Sequence, residues 1–216
     1  MSTKRDETRG RLLDGARRLL VERGYHGVTI DEIAKVAGVS RQAVYAYHFG
    51  SKSEFLIALL DHVDAVEGIA ELLRPSDAAA SGVDALREAV AANAEFERRV
   101  NDVATVLEAA RRTDDAAAVA WTDRMARKRA GIGRLVSRLA DEGDLRPGWT
   151  IEDAADLAYA LLSSQVFDVL VSERGWSVDD YAARIWRALA LAIVAVPADP
   201  VRATAGDTRD VEDRAH

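Results

Sequence analysis

Cysteine is absent from the 216-residue chain, and only four prolines and two methionines are present. Without cysteine, the chain can form neither a disulfide framework nor a thiol nucleophile nor a cysteine-ligated zinc site. This absence fits a reducing compartment, and we expect the protein in the cytoplasm. Long apolar runs are also missing. The N-terminus is charged and is followed by an amphipathic segment, which predicts neither a signal peptide nor a membrane span.

The sequence also lacks the residue patterns of common catalytic and metal sites. Its four histidines show no zinc-ligand spacing, and neither a nucleophile elbow nor a phosphate-binding loop is present. The pair Gly131 and Gly133 lies inside a helical pattern rather than after a strand, so it is not a dinucleotide fingerprint. We therefore predict that the protein is not an enzyme and needs no cofactor and no metal ion.

Charge is distributed unevenly along the chain, whose net charge is −7. Residues 1–52 contain ten Lys and Arg against six Asp and Glu, a local net charge of +4, so the remainder carries −11. A basic N-terminal head on an acidic body indicates that only the head meets a polyanion.

Helical periodicity covers nearly all of the chain, and no segment alternates with period two for long enough to predict a sheet. The segment Arg74 to Asp77 contains a proline and predicts a break. Beyond this break, alanine-rich helices are expected over residues 82–112, 115–142, 150–173 and 178–196. The sequence predicts an all-α protein with an N-terminal three-helix head, a linking helix and a larger helical domain.

Three regions follow from this pattern. Residues 1–52 form a predicted helix-turn-helix head, and residues 53–196 form a predicted helical effector-binding and dimerisation domain. Residues 197–216 are rich in charge and low in large apolar side chains, which predicts a disordered tail.

Two short helices joined by a glycine turn lie within the head. Thr29 is placed to cap the first helix, Gly38 ends it, and Ser40 is placed to cap the second. In a helix-turn-helix, the N-terminal residues of the second helix face base edges in the major groove. That position is occupied by Arg41, Gln42 and Ala43.

The chemistry of these side chains suits base reading. Arginine can pair with guanine, glutamine can pair with adenine, and a small alanine accommodates a thymine methyl group. The following tyrosines, His48 and Lys52 can hold phosphates, and Lys52 is helped by the N-terminus of the helix that it opens. For each tyrosine, packing within the head is an equally good interpretation.

The segment Gly24 to Leu56, GYHGVTIDEIAKVAGVSRQAVYAYHFGSKSEFL, resembles the TetR/AcrR family of bacterial transcriptional regulators. A weaker resemblance continues at the C-terminus. There, Ile151 to Val194 is similar to the last two helices of a subfamily common in actinobacteria. The two regions together cover about a third of the chain.

The resemblance assigns contacts to both the bases and the backbone of DNA. It implies that Thr29 and Lys52 touch the backbone. The complete set of candidate DNA contacts is Thr29, Ser40, Arg41, Gln42, Ala43, Tyr45, Tyr47, His48 and Lys52. The family's usual spacing has one residue between the helix tyrosine and the His-Phe pair, whereas here Ala46 and Tyr47 separate Tyr45 from His48. Either Tyr45 or Tyr47 therefore holds the family role.

The resemblance implies that the larger domain binds a small effector and dimerises. Large apolar residues and few obvious buried charges favour a lipophilic or aromatic effector. The candidate effector contacts are Phe96, Trp121, Met125, Tyr159 and Phe167. Helices that are apolar on more than one side predict the dimer interface, with candidates Ala155, Leu162, Val166, Val169, Trp186, Leu189 and Ile193. For both sets, ordinary core packing is the competing interpretation.

We therefore predict a homodimeric, effector-responsive transcriptional repressor that binds a pseudo-palindromic operator in double-stranded DNA and does not bind membranes. Two alternatives remain open. The first is an activator with the same head, and the second is a ligand-binding or protein-interaction dimer whose head no longer reads a specific DNA sequence.

Overall fold

The computed structural model describes residues 4–195, apart from the side chain of Tyr47. The predicted tail, residues 197–216, lies outside the described residues. Every regular element within residues 4–195 is a helix or a helical turn, and the one extended pairing in this range is an isolated antiparallel bridge between Leu145 and Val194. The prediction of an all-α fold is confirmed for this part of the chain.

The N-terminal head contains three helices and is followed by a linking helix. These are α1 (Lys4–Arg23), α2 (Ile30–Ala37), α3 (Arg41–Ala43) and α4 (Lys52–Val66). A 3-10 turn, Tyr25–Gly27, follows α1, and a π-helical turn, Val44–His48, continues α3.

Side-chain caps and one glycine fix the short helices of the head. Thr29 and Glu32 form a capping box, in which the Glu32 amide donates to the Thr29 hydroxyl and the Thr29 amide donates to the Glu32 carboxylate. The Ser40 hydroxyl accepts from the amide of Ala43 at 3.2 Å. Gly38 ends α2 at φ 74°, in the left-handed region where a residue with a Cβ is strained.

Six further helices form the larger part of the molecule. They are α5 (Ile69–Asp77), α6 (Gly82–Ala110), α7 (Asp115–Asp141), α8 (Ile151–Leu161), α9 (Ser164–Phe167) and α10 (Val178–Ile193). A second π-helical turn, Asp168–Glu173, follows α9.

Two boundaries differ from those predicted from the sequence. The predicted break at Arg74 to Asp77 lies inside α5, which begins after Gly68. Gly68 has φ 72° and ends α4, so the chain turns seven residues before Pro75. The helix predicted over 150–173 is interrupted at Ser163, whose backbone is extended and whose hydroxyl caps α9.

Two clusters of buried apolar side chains hold the helices together. The first joins the head and α4 to the second half of α6 and the start of α7, and it includes Leu12 and Phe55. The second joins the first half of α6 and the second half of α7 to α8, α9 and α10, and it includes Tyr181 and Leu189. Because α6 and α7 contribute to both clusters, they connect the head to the rest of the molecule. The division into domains at residue 52 remains a prediction.

Within residues 4–195, no single helix is both long and apolar enough to cross a membrane. The segments Ile151–Leu161 and Ser164–Glu173 meet at a bend of 41°. Only the two segments together reach the length and hydropathy of a membrane span.

Candidate functional site

The helix-turn-helix buries one face and presents a polar face to solvent. Ala34 and Val44 are buried in the first cluster, whereas Arg41 and Gln42 are exposed. The Arg41 guanidinium donates to the Asp31 carboxylate at 3.1 Å, and the two side chains are 61% and 62% exposed. An ion pair this exposed contributes only about 0–1 kcal/mol. Arg41 can therefore exchange Asp31 for a base edge at little cost.

The other candidates near the turn have structural roles as well. Thr29 and Ser40 are exposed, and both hydroxyls cap the helices that follow them. Backbone and side-chain hydrogen bonds from Thr29 hold the pKa of Glu32 below its usual value, so the Glu32 carboxylate of the capping box stays charged. Ala43 is half-buried beside the exposed pair formed by Arg41 and Gln42.

The extra residue of the recognition segment is taken up by the π-helical turn Val44–His48. The amide of Phe49 donates to the carbonyl of Val44 at 2.9 Å, which closes a turn one residue longer than that of an α-helix. Phe49 therefore stays in the core at 4% exposure. Tyr45 is half-buried, and the side chain of Tyr47 lies outside the described part of the structure. Which tyrosine contacts DNA remains a prediction.

Arg9, which is not among the predicted site residues, joins the end of this turn to α1. Its guanidinium donates to the carbonyl of His48 at 2.7 Å and lies 4.3 Å from the centroid of the Phe49 ring. Burial and the positive charges of Arg5 and Arg9 lower the pKa of His48, which favours a neutral imidazole near pH 7. The signal for this role is the spacing of Arg5 and Arg9, which are one helical turn apart in α1.

Lys52, the expected phosphate contact, is bound to the larger part of the molecule. Its ammonium donates to the Asp114 carboxylate at 2.6 Å and lies 5.0 Å from the centroid of the Tyr25 ring. Asp114 is also the N-cap of α7, because its other oxygen accepts from the amides of Ala116 and Ala117. One carboxylate thus joins the start of α4 to the start of α7.

The electrostatics of this junction keep the carboxylate of Asp114 charged. Burial alone would raise its pKa, but the hydrogen bonds from Lys52 and from the Ala117 amide outweigh burial and lower the pKa to about 2. Burial raises the pKa of the neighbouring Tyr25 to about 12, so its phenol stays neutral. A second contact lies nearby, because the His26 imidazole is 3.0 Å from the Thr113 hydroxyl.

A cavity of about 460 Å³ lies within the larger part of the molecule. Small-molecule sites commonly have volumes of about 300–1,000 Å³. Three of the five candidate effector contacts, Phe96, Trp121 and Met125, line this cavity. Trp121 and Met125 lie one turn apart on α7, as their spacing predicts.

The cavity wall also carries a cluster of buried charges. The Arg124 guanidinium lies 2.9 Å from the Asp64 carboxylate, and the Lys128 ammonium donates to Glu97 at 2.9 Å and to the carbonyl of Leu162. Burial raises the pKa of Asp64, although the positive charge of Arg124 opposes that shift. The expectation of few buried charges is therefore wrong. Charged residues one turn apart inside apolar faces, as Arg124 and Lys128 are on α7, are the signal that could have revealed them.

Tyr159 and Phe167 are not among the residues that line this cavity, so their role as effector contacts stays a prediction. Phe167 is 2% exposed and packs edge-to-face on Tyr181, with ring centroids 5.1 Å apart. Tyr159 packs against the same second cluster. Their apolar surface is used in the core between α8, α9 and α10.

The predicted dimer contacts divide into two groups. Four of them are buried inside a single chain and have almost no surface left for a partner, so their prediction as interface residues is corrected. These four are Ala155, Leu162, Leu189 and Ile193. The other three reach the surface. Val169 is 44% exposed, and Val166 and Trp186 are half-buried. Ile151 at the start of α8 and Leu191 in α10, at 42% and 63% exposure, are further exposed apolar side chains.

No group of three or more His, Asp or Glu side chains within residues 4–195 is arranged to hold a metal ion. The cavity and the exposed face of the helix-turn-helix are the two features from which the function is proposed below.

Comparison with known proteins agrees with this geometry. Residues 12–59 match the family described as bacterial regulatory proteins, tetR family. The HTH-type transcriptional activator FasR of Mycolicibacterium smegmatis is 50% identical over 72 residues, which is 32% of this chain and 32% of FasR. The HTH-type transcriptional repressor AcnR of Corynebacterium glutamicum is 33% identical over 78 residues, which is 33% of this chain and 41% of AcnR.

The likeness to a solved structure extends over most of the chain. The transcriptional regulator FadR of Bacillus subtilis, solved with stearoyl-CoA, superposes with a TM-score of 0.66 at 17% identity and covers 83% of this chain and 96% of FadR. At this identity, the likeness shows the fold alone. The sequence matches span only about a third of FasR and two fifths of AcnR. Residues 12–59, which contain the helix-turn-helix, are therefore similar to the tetR family of bacterial regulatory proteins.

Proposed function

We propose that the protein is a sequence-specific, ligand-responsive transcriptional regulator that represses its target until a small effector releases it from its operator. The observation that carries this proposal is the exposed pair Arg41 and Gln42 at the start of the helix that follows the glycine turn. Both side chains have the chemistry for base edges in the major groove. This function is regulatory, so we expect no enzyme activity and place the protein in the cytoplasm with its DNA.

The proposed operator is a pseudo-palindrome because we propose a homodimer. Two heads related by a two-fold axis read two inverted half-sites about one helical turn, or a multiple of it, apart. Exposed apolar side chains on α8 to α10 support such an interface, with Val169 and Leu191 the most exposed among them.

The proposed route from effector to DNA runs along α7. Trp121, Arg124 and Met125 of this helix line the cavity, while its N-cap, Asp114, binds Lys52. The Asp114 carboxylate, 2.6 Å from the Lys52 ammonium, competes with a DNA phosphate for this cation. A ligand that displaces α7 therefore changes the balance of Lys52 between Asp114 and the phosphate.

The name of one relative supports the opposite sign of regulation as a second candidate. FasR is an activator and AcnR is a repressor, and both are similar to this chain in the N-terminal region. We therefore keep activation by the same head as the alternative. FadR bound to stearoyl-CoA supports an amphipathic effector in this fold.

Selection of bound sites from a random duplex library by the purified chain at near-physiological salt tests the proposal. We expect an inverted repeat to be enriched, and the double variant Arg41→Ala, Gln42→Ala to lose this enrichment while remaining folded. If the folded, dimeric protein enriched no sequence, the head would not read DNA specifically, and the ligand-binding or protein-interaction dimer would replace the regulator.

Measuring transcription from a promoter that carries the selected operator then shows whether the protein represses or activates. A repressor lowers the transcript level when it is added, and an activator raises it.

A further inference from the structure

Four polar atoms at the wall of the cavity are out of contact with solvent and have no hydrogen-bond partner. One is an oxygen of Asp64, which already faces the Arg124 guanidinium at 2.9 Å. The other three are one oxygen of Glu97, the amide nitrogen of Asn93 and one terminal nitrogen of Arg124. The residues that carry them all line the cavity. Glu97 is 3% exposed and Arg124 is 8% exposed. Since a buried polar group without a partner costs about 1–3 kcal/mol, such groups in a native protein need an explanation.

The three atoms lie close together in the fold. Asn93 and Glu97 are one turn apart on α6, so their side chains share a face. Arg124 projects from α7 toward this face, where its guanidinium carbon lies 5.5 Å from the centroid of the Phe96 ring. Lys128, one turn along α7 from Arg124, binds the other oxygen of Glu97.

The two ion pairs nearest these atoms balance in charge. Asp64 faces Arg124 and Glu97 faces Lys128, each at 2.9 Å. Four further charged side chains line the cavity, and of these Arg127 and Arg138 pair with carboxylates outside the lining: Asp77, Arg127, Arg134 and Arg138. An added anion could accept from Arg124 but would lie against the free oxygen of Glu97. An added cation could donate to Glu97 but would lie against Arg124 and Lys128. A ligand head with a net charge would therefore be unpaired in a buried environment, which is costly.

An uncharged head that both donates and accepts satisfies all three atoms. It can donate to the free oxygen of Glu97 and accept from the guanidinium of Arg124. The amide of Asn93 can donate to the same head, or accept from it after turning, since an amide carries both functions. A primary carboxamide or a hydroxyl group has this chemistry.

The rest of the cavity is suited to an apolar body. Phe96, Trp121 and Met125 line it together with the apolar side chains of Ile69, Ile132 and Leu135. A long unbranched chain or a small ring system could occupy a volume of about 460 Å³.

We propose that the cavity binds an amphipathic molecule whose uncharged donor–acceptor head lies against Asn93, Glu97 and Arg124. This inference deepens the proposed function and rests on it only in taking the cavity as the ligand site.

Four ten-carbon probes that differ only in the head test the inference by titration calorimetry on the full chain at pH 7. They are decanamide, 1-decanol, decanoate and decylammonium. We expect the amide or the alcohol to bind most tightly, by roughly tenfold over both ions, because one hydrogen bond to a charged group accounts for about a factor of ten.

The variant Asn93→Leu removes one unpaired group without breaking an ion pair. We expect it to reduce the preference of the cavity for decanamide over the ions to about threefold or less. In the unliganded protein it should raise the melting temperature, because leucine has the same branching at Cγ as asparagine and leaves no polar atom buried without a partner. Met125→Leu is the matched control, since it alters the apolar wall and should change the affinity for all four probes by the same factor.

Tighter binding of decanoate or of decylammonium, or failure of all four probes to bind at millimolar concentration, would overturn the inference. Operator binding, measured with the same probes, tests the proposed function separately. Head-group preference without any effect on DNA would support this inference and remove the effector role of the cavity. Release of DNA by decanoate alone would support the effector role and overturn the uncharged head.

Discussion

The polar side chains of the head and those of the cavity differ in how easily they can change partners. Arg41 and Asp31 pair at the surface with more than 60% of each side chain exposed, whereas Glu97 pairs with Lys128 with only 5% of its side chain exposed. Water can replace either partner at the surface, but no water reaches the free oxygen of Glu97. In the proposed function, the head can therefore exchange its partners for DNA, whereas the buried groups of the cavity gain partners only if a ligand brings them.

Lys52 is intermediate between these two cases. Its side chain is 42% exposed, and its partner Asp114 is 22% exposed. A contact of this kind is strong enough to be populated in the free protein and exposed enough to be exchanged for a phosphate. The three ion pairs form a series in which burial sets the cost of losing a partner. Three of the substitutions below act on these pairs, and the fourth, Gln42→Ala, acts on the exposed side chain beside Arg41.

The largest effect, a loss in the free energy of unfolding, is expected from Lys128→Met. This change leaves the buried carboxylate of Glu97 without its cation, and breaking a buried pair in this way typically costs about 3–5 kcal/mol. Urea unfolding of the variant and the parent measures the difference. Arg129→Met is the matched control, because Arg129 pairs with Asp156 at 2.6 Å with both side chains more than half exposed, and its loss should cost less than about 1 kcal/mol. Equal losses in the two variants would contradict the series.

The next effect is expected from Gln42→Ala in the head. Loss of a bidentate contact to one base should cost about 1–3 kcal/mol at one position of each half-site and relax the preference there. Site selection with the variant measures the change position by position. An unchanged preferred sequence would show that Gln42 does not face the bases, and the orientation of the recognition helix would then need to be reassigned.

Lys52→Ala should have a smaller effect that does not depend on sequence. Loss of one phosphate contact weakens binding to every duplex and reduces the slope of log affinity against log salt by about 0.9. Titrations at several salt concentrations measure this slope. Arg74→Ala removes the same charge from an exposed side chain of α5 and is the control. A slope that is unchanged in Lys52→Ala would remove Lys52 from the DNA backbone.

The smallest effect is expected from Asp114→Asn, and it should strengthen DNA binding where Lys52→Ala weakens it. Asparagine keeps the oxygen that caps α7 but loses the charge that holds Lys52, so the lysine becomes available to a phosphate. We expect DNA binding to tighten by less than about tenfold, with a steeper dependence on salt. Asp115→Asn makes the same change of charge one residue further on, where the side chain is exposed. If both variants tightened binding equally, the cause would be net charge rather than the contact with Lys52.

The head could be predicted from the sequence because its signals are local. The caps at Thr29 and Ser40, the turn at Gly38 and the polar positions that follow lie within about fifteen residues. Each residue type has one physical reason to be at its position, and all of these reasons indicate the same motif.

The larger part of the molecule was predicted less completely, because its contacts join segments that are distant in the sequence. Lys52 and Asp114 are 62 residues apart, and Glu97 and Lys128 are 31 residues apart. Periodicity shows which residues of one helix share a face, but it does not show which helix covers that face. For this reason Trp121 and Met125 were correctly grouped on one face of α7, whereas Leu162 and Leu189 were assigned to a surface that the core in fact uses.

The π-helical turn at Val44–His48 has a consequence for how such a head can change through insertion and deletion. An added residue in an α-helix rotates everything beyond it by about 100° about the axis. Here the wider turn absorbs the added residue, so Phe49 keeps its place in the core and Lys52 still opens α4. The length of this segment is thereby uncoupled from the packing beneath it, so the surface proposed to meet DNA can change without a change in the fold.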